Sequence, residues 1–270
     1  MQTTRVSSLD LPSLQPYRTL RRPLDHQEQG IFVAEGEKVV RRLLESDLEI
    51  LSILLTEEWL AALRGNLEQR ASQPELFVAP KNLVETIVGF PLHQGIMAVA
   101  RIPKLIPLDE VLRRSTQPYF LAAVDGLTNA ENLGVLVRNC AAFGVQAILV
   151  GETSSSPYLR RAVRNSMGAI FRLPVVQLEN LAATLRAFNG QGITTIAAHP
   201  ASADDLMTLG EVESCCLVFG SEGEGISKDV LAACAKRVAI TMDNGVDSLN
   251  VASASAVFLH AVRSRRRLAH

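Results

Sequence analysis

The sequence predicts an α/β protein in two parts. A small mixed α/β domain over 1–103 precedes a larger domain over 119–270 built on a mostly parallel sheet. Three observations predict this. Short apolar runs alternate with helical spacing along most of the chain. The runs of the second part are continuously apolar, as strands covered on both faces are. Between the parts, 104–118 carries Pro107 and Pro118 among charges, a composition that suits a linker.

The elements follow in order. Residues 1–25 are polar and hold Pro12, Pro16 and Pro23, so a loose arm with one helix is expected. Residues 31–34 read as a strand, then Glu35-Gly36 and a helix over 37–44. A strand over 50–55, a helix over 57–63 and short strands at 76–78 and 96–100 complete the first domain. The linker holds a short helix near 110–113. In the second domain the run 119–124 ends at Asp125-Gly126. A helix over 133–143 carries Leu133, Leu136, Val137, Cys140 and Ala141 on one side and stops at Gly144. Strands follow at 147–150, 175–176, 193–198, 215–219 and 238–241. Helices are expected at 158–171 (basic on one side), 181–188, 228–235 and 251–263. In such sheets ligands sit beyond the carboxyl ends of the strands.

Composition bounds the function. Hydrophobic residues are 47% and charged residues 20%, which excludes disorder as the main state. Lys+Arg is 27 against Asp+Glu 28, so a nucleic-acid partner needs a local patch rather than a global field. Three basic clusters offer one: Arg18, Arg21 and Arg22; Arg160, Arg161 and Arg164; and Arg263, Arg265, Arg266 and Arg267. The last equally suits a helix C-terminus. Aromatics are 5%, so base stacking does not dominate recognition. Cys140, Cys215, Cys216 and Cys234 form no C-x-x-C pair, and no metal site is expected. Cys215 and Cys216 read as small hydrophobes, and a reducing cytoplasm is the simplest compartment. No run is long enough to span a bilayer, so no membrane partner is expected.

There is no P-loop, no G-x-G-x-x-G after a strand, no H-E-x-x-H and no G-x-S-x-G. His199, at a strand end, reads as structural. Three strand-end loops stand out. The first runs from Asp125 through Asn129 and Asn132 to Gly134, with Arg138 one turn on. That guanidinium, beside Leu136, Val137 and Cys140, reads either as a surface arginine or as a phosphate clamp that needs a partner. The second, Gly220-Ser-Glu-Gly-Glu-Gly225, reads as a flexible turn or as backbone made for close approach to a ligand. Its carboxylates disfavour phosphate and favour hydroxyls or a positive centre. The third joins Thr241 to Asn250 through the tight-turn dipeptide Asn244-Gly245. Ser248 or Asn250 can cap the next helix. Together the loops can hold an adenosine-type cofactor while Arg138 and the asparagines orient a polyanion.

These residues, in this order, resemble the three motifs of the SpoU/TrmH class of RNA methyltransferases. Asn132-Leu-Gly-Val-Leu-Val-Arg138, continuing to Gly144, resembles the first motif. Leu217-Val-Phe-Gly-Ser-Glu-Gly-Glu-Gly-Ile-Ser227 resembles the second. Ile240-Thr-Met, then Ser248-Leu-Asn-Val-Ala-Ser253, resembles the third. Ser166-Met-Gly-Ala169 sits where the family often has small residues. Phe32-Val-Ala-Glu-Gly36 and Gln94-Gly-Ile96 more faintly resemble a small RNA-substrate domain.

The resemblance implies methyl transfer from S-adenosyl-L-methionine to a ribose 2′-hydroxyl of RNA, a C-terminal trefoil knot, and a homodimer whose site draws on both chains. It implies cofactor contacts at Gly220, Ile240 and Leu249, with Ala198 and Ser248 beside them. It places Asn132, Arg138, Glu222 and Asn250 at polar catalytic positions. The partner implied is RNA rather than DNA, ribosomal RNA ahead of transfer RNA. The rival readings are a tRNA enzyme, a non-catalytic RNA-binding or ribosome-assembly factor, and a generic nucleotide-binding oxidoreductase. The missing dinucleotide fingerprint weighs against the last.

Overall fold

The structure is a computed structural model that describes residues 3–87 and 95–266. The chain forms two compact units: Met1–Lys104 with Tyr158–Phe171, and Leu105–Pro157 with Arg172–His270.

The first unit runs β1 (Thr3–Arg5), α1 (Gln15–Arg18), α2 (Pro23–Glu28), β2 (Ile31–Glu35), α3 (Glu37–Leu44), β3 (Ile50–Leu55), α4 (Glu57–Glu68), β4 (Glu75–Val78), α5 (Lys81–Thr86) and β5 (Ile96–Arg101). The sheet order is β1-β4-β3-β5-β2. β1, β4 and β3 are parallel; β5 is antiparallel to both β3 and β2. Of the loose arm expected over 1–25, the described residues 3–25 are instead built into this unit. Val6, Leu14, Tyr17 and Leu20 enter a core with Val33, Leu54, Phe77 and Val99. The buried Tyr17 hydroxyl shares a 2.9 Å hydrogen bond with Ser52. Pro12, Pro16 and Pro23 stand in first helical turns, where a missing N–H breaks no hydrogen bond. The prolines start short helices and do not loosen the chain.

The second unit continues with α6 (Leu108–Arg114), β6 (Phe120–Val124), α7 (Ala130–Ala142) and β7 (Ala147–Val150). α8 (Arg160–Asn165) belongs to the first unit. Then come β8 (Val175–Gln177), α9 (Leu181–Gly190), β9 (Thr194–Ala198), β10 (Cys215–Phe219), α10 (Lys228–Ala233), β11 (Lys236–Val238) and α11 (Val251–Arg265). The sheet is ordered β11-β9-β10-β6-β7-β8, and every pairing in it is parallel. β6, β7 and β10 are buried along their whole length, which explains their unbroken apolar runs. Strand order changes direction beside β10, and ligand crevices form at such switch points.

β1 and α5 add to the expected elements, α4 runs on to Glu68 beyond the expected 57–63, and two elements of the second part differ in form. The single helix expected over 158–171 is broken: α8 ends at Asn165, Met167 and Gly168 take φ of 54° and 80°, and a 3-10 turn follows at Ala169–Phe171. The Ser166 hydroxyl accepts the Gly168 N–H at 3.2 Å, a local turn that competes with the helix. The strand expected over 238–241 begins and ends earlier, at Lys236–Val238. Beyond it, Ala239 forms an isolated parallel bridge with Asp205.

Candidate active site

Each of the three loops is fixed by its own backbone chemistry. Asn129 caps α7, its side chain accepting the N–H groups of Glu131 and Asn132 at 2.9 and 3.2 Å. The helix therefore starts at Ala130, ahead of the residue expected from apolar spacing, and Asn132 sits in its first turn. After β10, Ser221 and Gly225 exchange backbone hydrogen bonds of 3.0 and 3.1 Å and close a tight turn. Gly220 is obligatory there: a Cβ on it would lie 2.2 Å from the Gly225 carbonyl carbon. The exit of this loop is held by Asp125, whose carboxylate accepts the Ser227 N–H at 2.7 Å. In the third loop Asn244 and Gly245 take φ of 58° and 71°, and Asn250 caps α11 by accepting the Ala252 N–H at 2.8 Å.

The loops meet on one carboxylate. Asn132 Nδ2 donates to Glu222 Oε1 at 2.5 Å, and Asn250 Nδ2 donates to the same oxygen. Asn250 Nδ2 also lies 3.2 Å from Asn132 Oδ1. Glu222 Oε2 has no hydrogen-bond partner among the described residues. Packing of α7 on α11 sets this register, because Asn139 Nδ2 donates to the Ala252 carbonyl at 2.9 Å and to the Ser255 hydroxyl at 3.0 Å.

Behind the cluster lies a cavity of about 310 Å³ at the carboxyl ends of β9, β10 and β11. Ala198, Gly220, Ile240, Ser248 and Leu249 all border it, and so does Glu222. Asn132 and Asn250 reach it through Glu222. Residues not singled out from the sequence border it too. His199, read as structural, is one. Phe219 and Phe258 are others, their rings edge-to-face at 6.0 Å. Val251, Ala254 and Phe258 share a face of α11 by their helical spacing, a signal that was open to sequence reading.

Arg138 is not among the lining residues. It is exposed on α7 and has no partner among the described residues. Leu136 and Val137 turn into the core while the next position turns out, so the guanidinium is not buried with them and needs no internal partner.

Several arginines of the basic clusters also make contacts within the chain. Arg160 and Arg164 donate to the buried Glu35 carboxylate at 2.5 and 3.2 Å. Arg263 and Arg265 donate to the Ala142 and Met207 carbonyls. Arg266 binds the Glu213 and Pro118 carbonyls and stands 4.6 Å from the Phe120 ring centre. Arg18 and Arg22 lie near Asp10 and Asp25 at 3.7 and 3.9 Å. Arg267 and Gln94 lie outside the described residues. No helix among the described residues is long and apolar enough to cross a membrane.

Comparison with known proteins gives a consistent result. The model of the SpoU rRNA Methylase family matches residues 119–260. An uncharacterized tRNA/rRNA methyltransferase of Mycobacterium bovis is 31% identical over 268 residues, covering 96% of this chain and 91% of its own. A 23S rRNA (guanosine-2'-O-)-methyltransferase, RlmB, of Vibrio vulnificus is 34% identical over 177 residues, covering 64% of this chain and 71% of its own. The crystal structure of an AdoMet-bound rRNA methyltransferase from Sinorhizobium meliloti superposes with a TM-score of 0.82 at 23% identity, covering 98% of each chain. With its α/β parallel-sheet fold, its three loops meeting at Glu222 and this family match over more than half its length, the chain belongs to the SpoU rRNA Methylase family of RNA methyltransferases.

Proposed function

We propose that this protein transfers a methyl group from S-adenosyl-L-methionine to a ribose 2′-hydroxyl of RNA, ribosomal RNA being the substrate, and that it acts as a homodimer with a knotted C-terminal domain. The observation that carries this reading is the convergence of Asn132 and Asn250 on Glu222 at a cavity bordered by Gly220, Ile240 and Leu249. The named activity of the Vibrio relative and the AdoMet bound by the Sinorhizobium protein support it.

The residues fit such a cofactor. An apolar floor of Phe219, Ile240 and Phe258 suits a flat heterocycle, and Ala198 and Ser248 border the same space. Glu222 and Glu224 at the cavity give negative charge near a positive centre. When bound, the sulfonium supplies an electrophilic methyl group. The chain's part is to align a hydroxyl with it and to accept that hydroxyl's proton, for which Glu222 Oε2 is the acceptor the geometry offers. Fixing such a geometry is worth up to roughly 7–11 kcal/mol. Asn132 and Asn250 hold Glu222 in one rotamer, which leaves its Oε2 to accept a hydrogen bond from the ribose. Arg138, a permanent cation, clamps a phosphate and stabilises the developing alkoxide. It stands outside its own chain's cavity, which accords with a site completed by a second copy.

Titration calorimetry with S-adenosylmethionine, together with mapping of ribose-methylated positions in RNA from cells with and without the gene, tests the reading. Binding and a lost ribosomal position are expected. Absence of binding leaves a non-catalytic RNA-binding scaffold, and a lost transfer-RNA position moves the substrate.

A further inference from the structure

Two carboxylates outside the cavity hold its walls. Asp125 is one; Asp205 is the other, and it was not singled out from the sequence. Asp205 caps a 3-10 turn at Leu206–Thr208, one oxygen accepting the Met207 N–H at 2.6 Å. Its other oxygen accepts the Thr241 N–H at 3.1 Å and also the Thr241 hydroxyl. Around this contact the two segments pair as short strands: Leu206 N–H donates to the Ala239 carbonyl at 2.7 Å, and Ala239 N–H donates to the Asp204 carbonyl at 2.8 Å.

Thr241 lies between Ile240 and Met242. Both of those border the cavity; neither Thr241 nor Asp205 does. Thr241 instead bonds Asp205, which also stands outside the lining. Beyond Met242, residues 243–250 are all exposed and include the turn at Asn244-Gly245. β11 has ended at Val238, so no sheet pairing reaches Thr241. Among the described residues, the side chain of Asp205 is what fixes the backbone there.

We infer that Asp205 is a positioning residue for cofactor binding, holding Thr241 from behind so that Ile240 and Met242 keep the shape of the cavity wall. The inference rests on the reading of the cavity as the S-adenosylmethionine site. Asp205 touches neither the cofactor nor the reacting atoms, so its removal weakens affinity while leaving the global fold in place. A hydrogen bond to a charged acceptor at a site without other support corresponds to about a tenfold change in affinity.

The test uses the full chain and calorimetric titration with S-adenosylmethionine and S-adenosylhomocysteine. Wild type, Asp205→Ala, Thr241→Val and Thr241→Ser are compared, with thermal unfolding of each. The expected result is a dissociation constant raised about tenfold in Asp205→Ala and raised in Thr241→Val, with Thr241→Ser restored to wild type because it keeps the hydroxyl. Melting temperatures of the threonine variants stay close to wild type. Should Asp205→Ala fail to fold, the Val and Ser pair carries the test alone. Equal affinity in wild type and Thr241→Val overturns the inference, as does a Thr241→Ser variant no better than Thr241→Val. A wild type that binds neither compound overturns instead the reading of the cavity.

Discussion

Asn250 binds in two directions at once: its Oδ1 accepts the Ala252 N–H at 2.8 Å as the cap of α11, and its Nδ2 donates to Glu222 Oε1. The cap fixes which end of the amide faces Glu222, so a helix terminus aims a candidate catalytic contact. The two roles separate by substitution. Asn250→Asp keeps an acceptor for the cap but turns a second carboxylate toward Glu222. It is expected to melt near wild type and to lose methyl transfer. Asn250→Ala loses both, with about 1 kcal/mol of stability. Thermal melts beside a methyl-incorporation assay distinguish them.

Arg138 is exposed on α7 and holds nothing within its own unit. Arg138→Ala is therefore expected to change stability by less than about 0.5 kcal/mol and to abolish methyl transfer. Turnover comparable to wild type discards its assigned role. Arg138→Lys keeps the charge without the planar fork and is expected to recover only part of the activity.

Gly220 has no room for a methyl group, because a Cβ there would lie 2.2 Å from the Gly225 carbonyl carbon and 2.3 Å from the Ile226 nitrogen. Gly220→Ala must open the Ser221–Gly225 turn. Loss of S-adenosylmethionine binding is expected in calorimetry. Gly223→Ala in the same loop meets nothing within 4 Å and serves as the control that binds normally.

Glu35 is buried, with a side chain 4% exposed, and faces Arg160 and Arg164 at 16% and 49% exposure. Removing the carboxylate leaves the mostly buried Arg160 charge without this partner. Glu35→Ala is expected to cost about 3 kcal/mol in denaturant unfolding, with Arg164→Ala costing far less because that side chain is half in solvent.

Much of this was legible in the sequence, and the reasons differ by element. β6, β7 and β10 declared themselves as unbroken apolar runs because a parallel sheet buries both faces. Gly220, Ile240, Ser248 and Leu249 come from ordered motifs and Ala198 from the end of a strand, and all five border one cavity. What escaped was tertiary. The arm at 1–25 looked loose because its prolines outweighed four spaced apolar residues whose burial only the folded sheet reveals. The contact of Arg160 and Arg164 with Glu35 was hidden because Glu35 lies more than a hundred residues away in the chain. The helix over 158–171 was overextended because Ser166 and Gly168 look harmless until their hydrogen bond forms. Asp205 carried no signal at all, since its meaning depends on a backbone N–H in another loop.

Asp205 also gives the stability a pH signature. The Thr241 hydroxyl first, then the Met207 N–H, hold its carboxyl below the ordinary carboxylate range. A depressed folded value means the contribution is complete above the unfolded value, near 4, and is lost as pH falls below it. Wild type is therefore expected to lose melting temperature slightly more steeply than Asp205→Asn as pH falls below about 4, since the variant has no such proton to take up. Parallel curves for the two proteins contradict this.

The atom that receives the methyl group decides between a ribose and a base methyltransferase. The direct measurement incubates the protein with ribosomal RNA and isotope-labelled S-adenosylmethionine, digests the product to nucleosides and locates the label by mass spectrometry. Label is expected on a ribose 2′-oxygen, absent with Arg138→Ala. Label on a base, with the ribose unmarked, contradicts this.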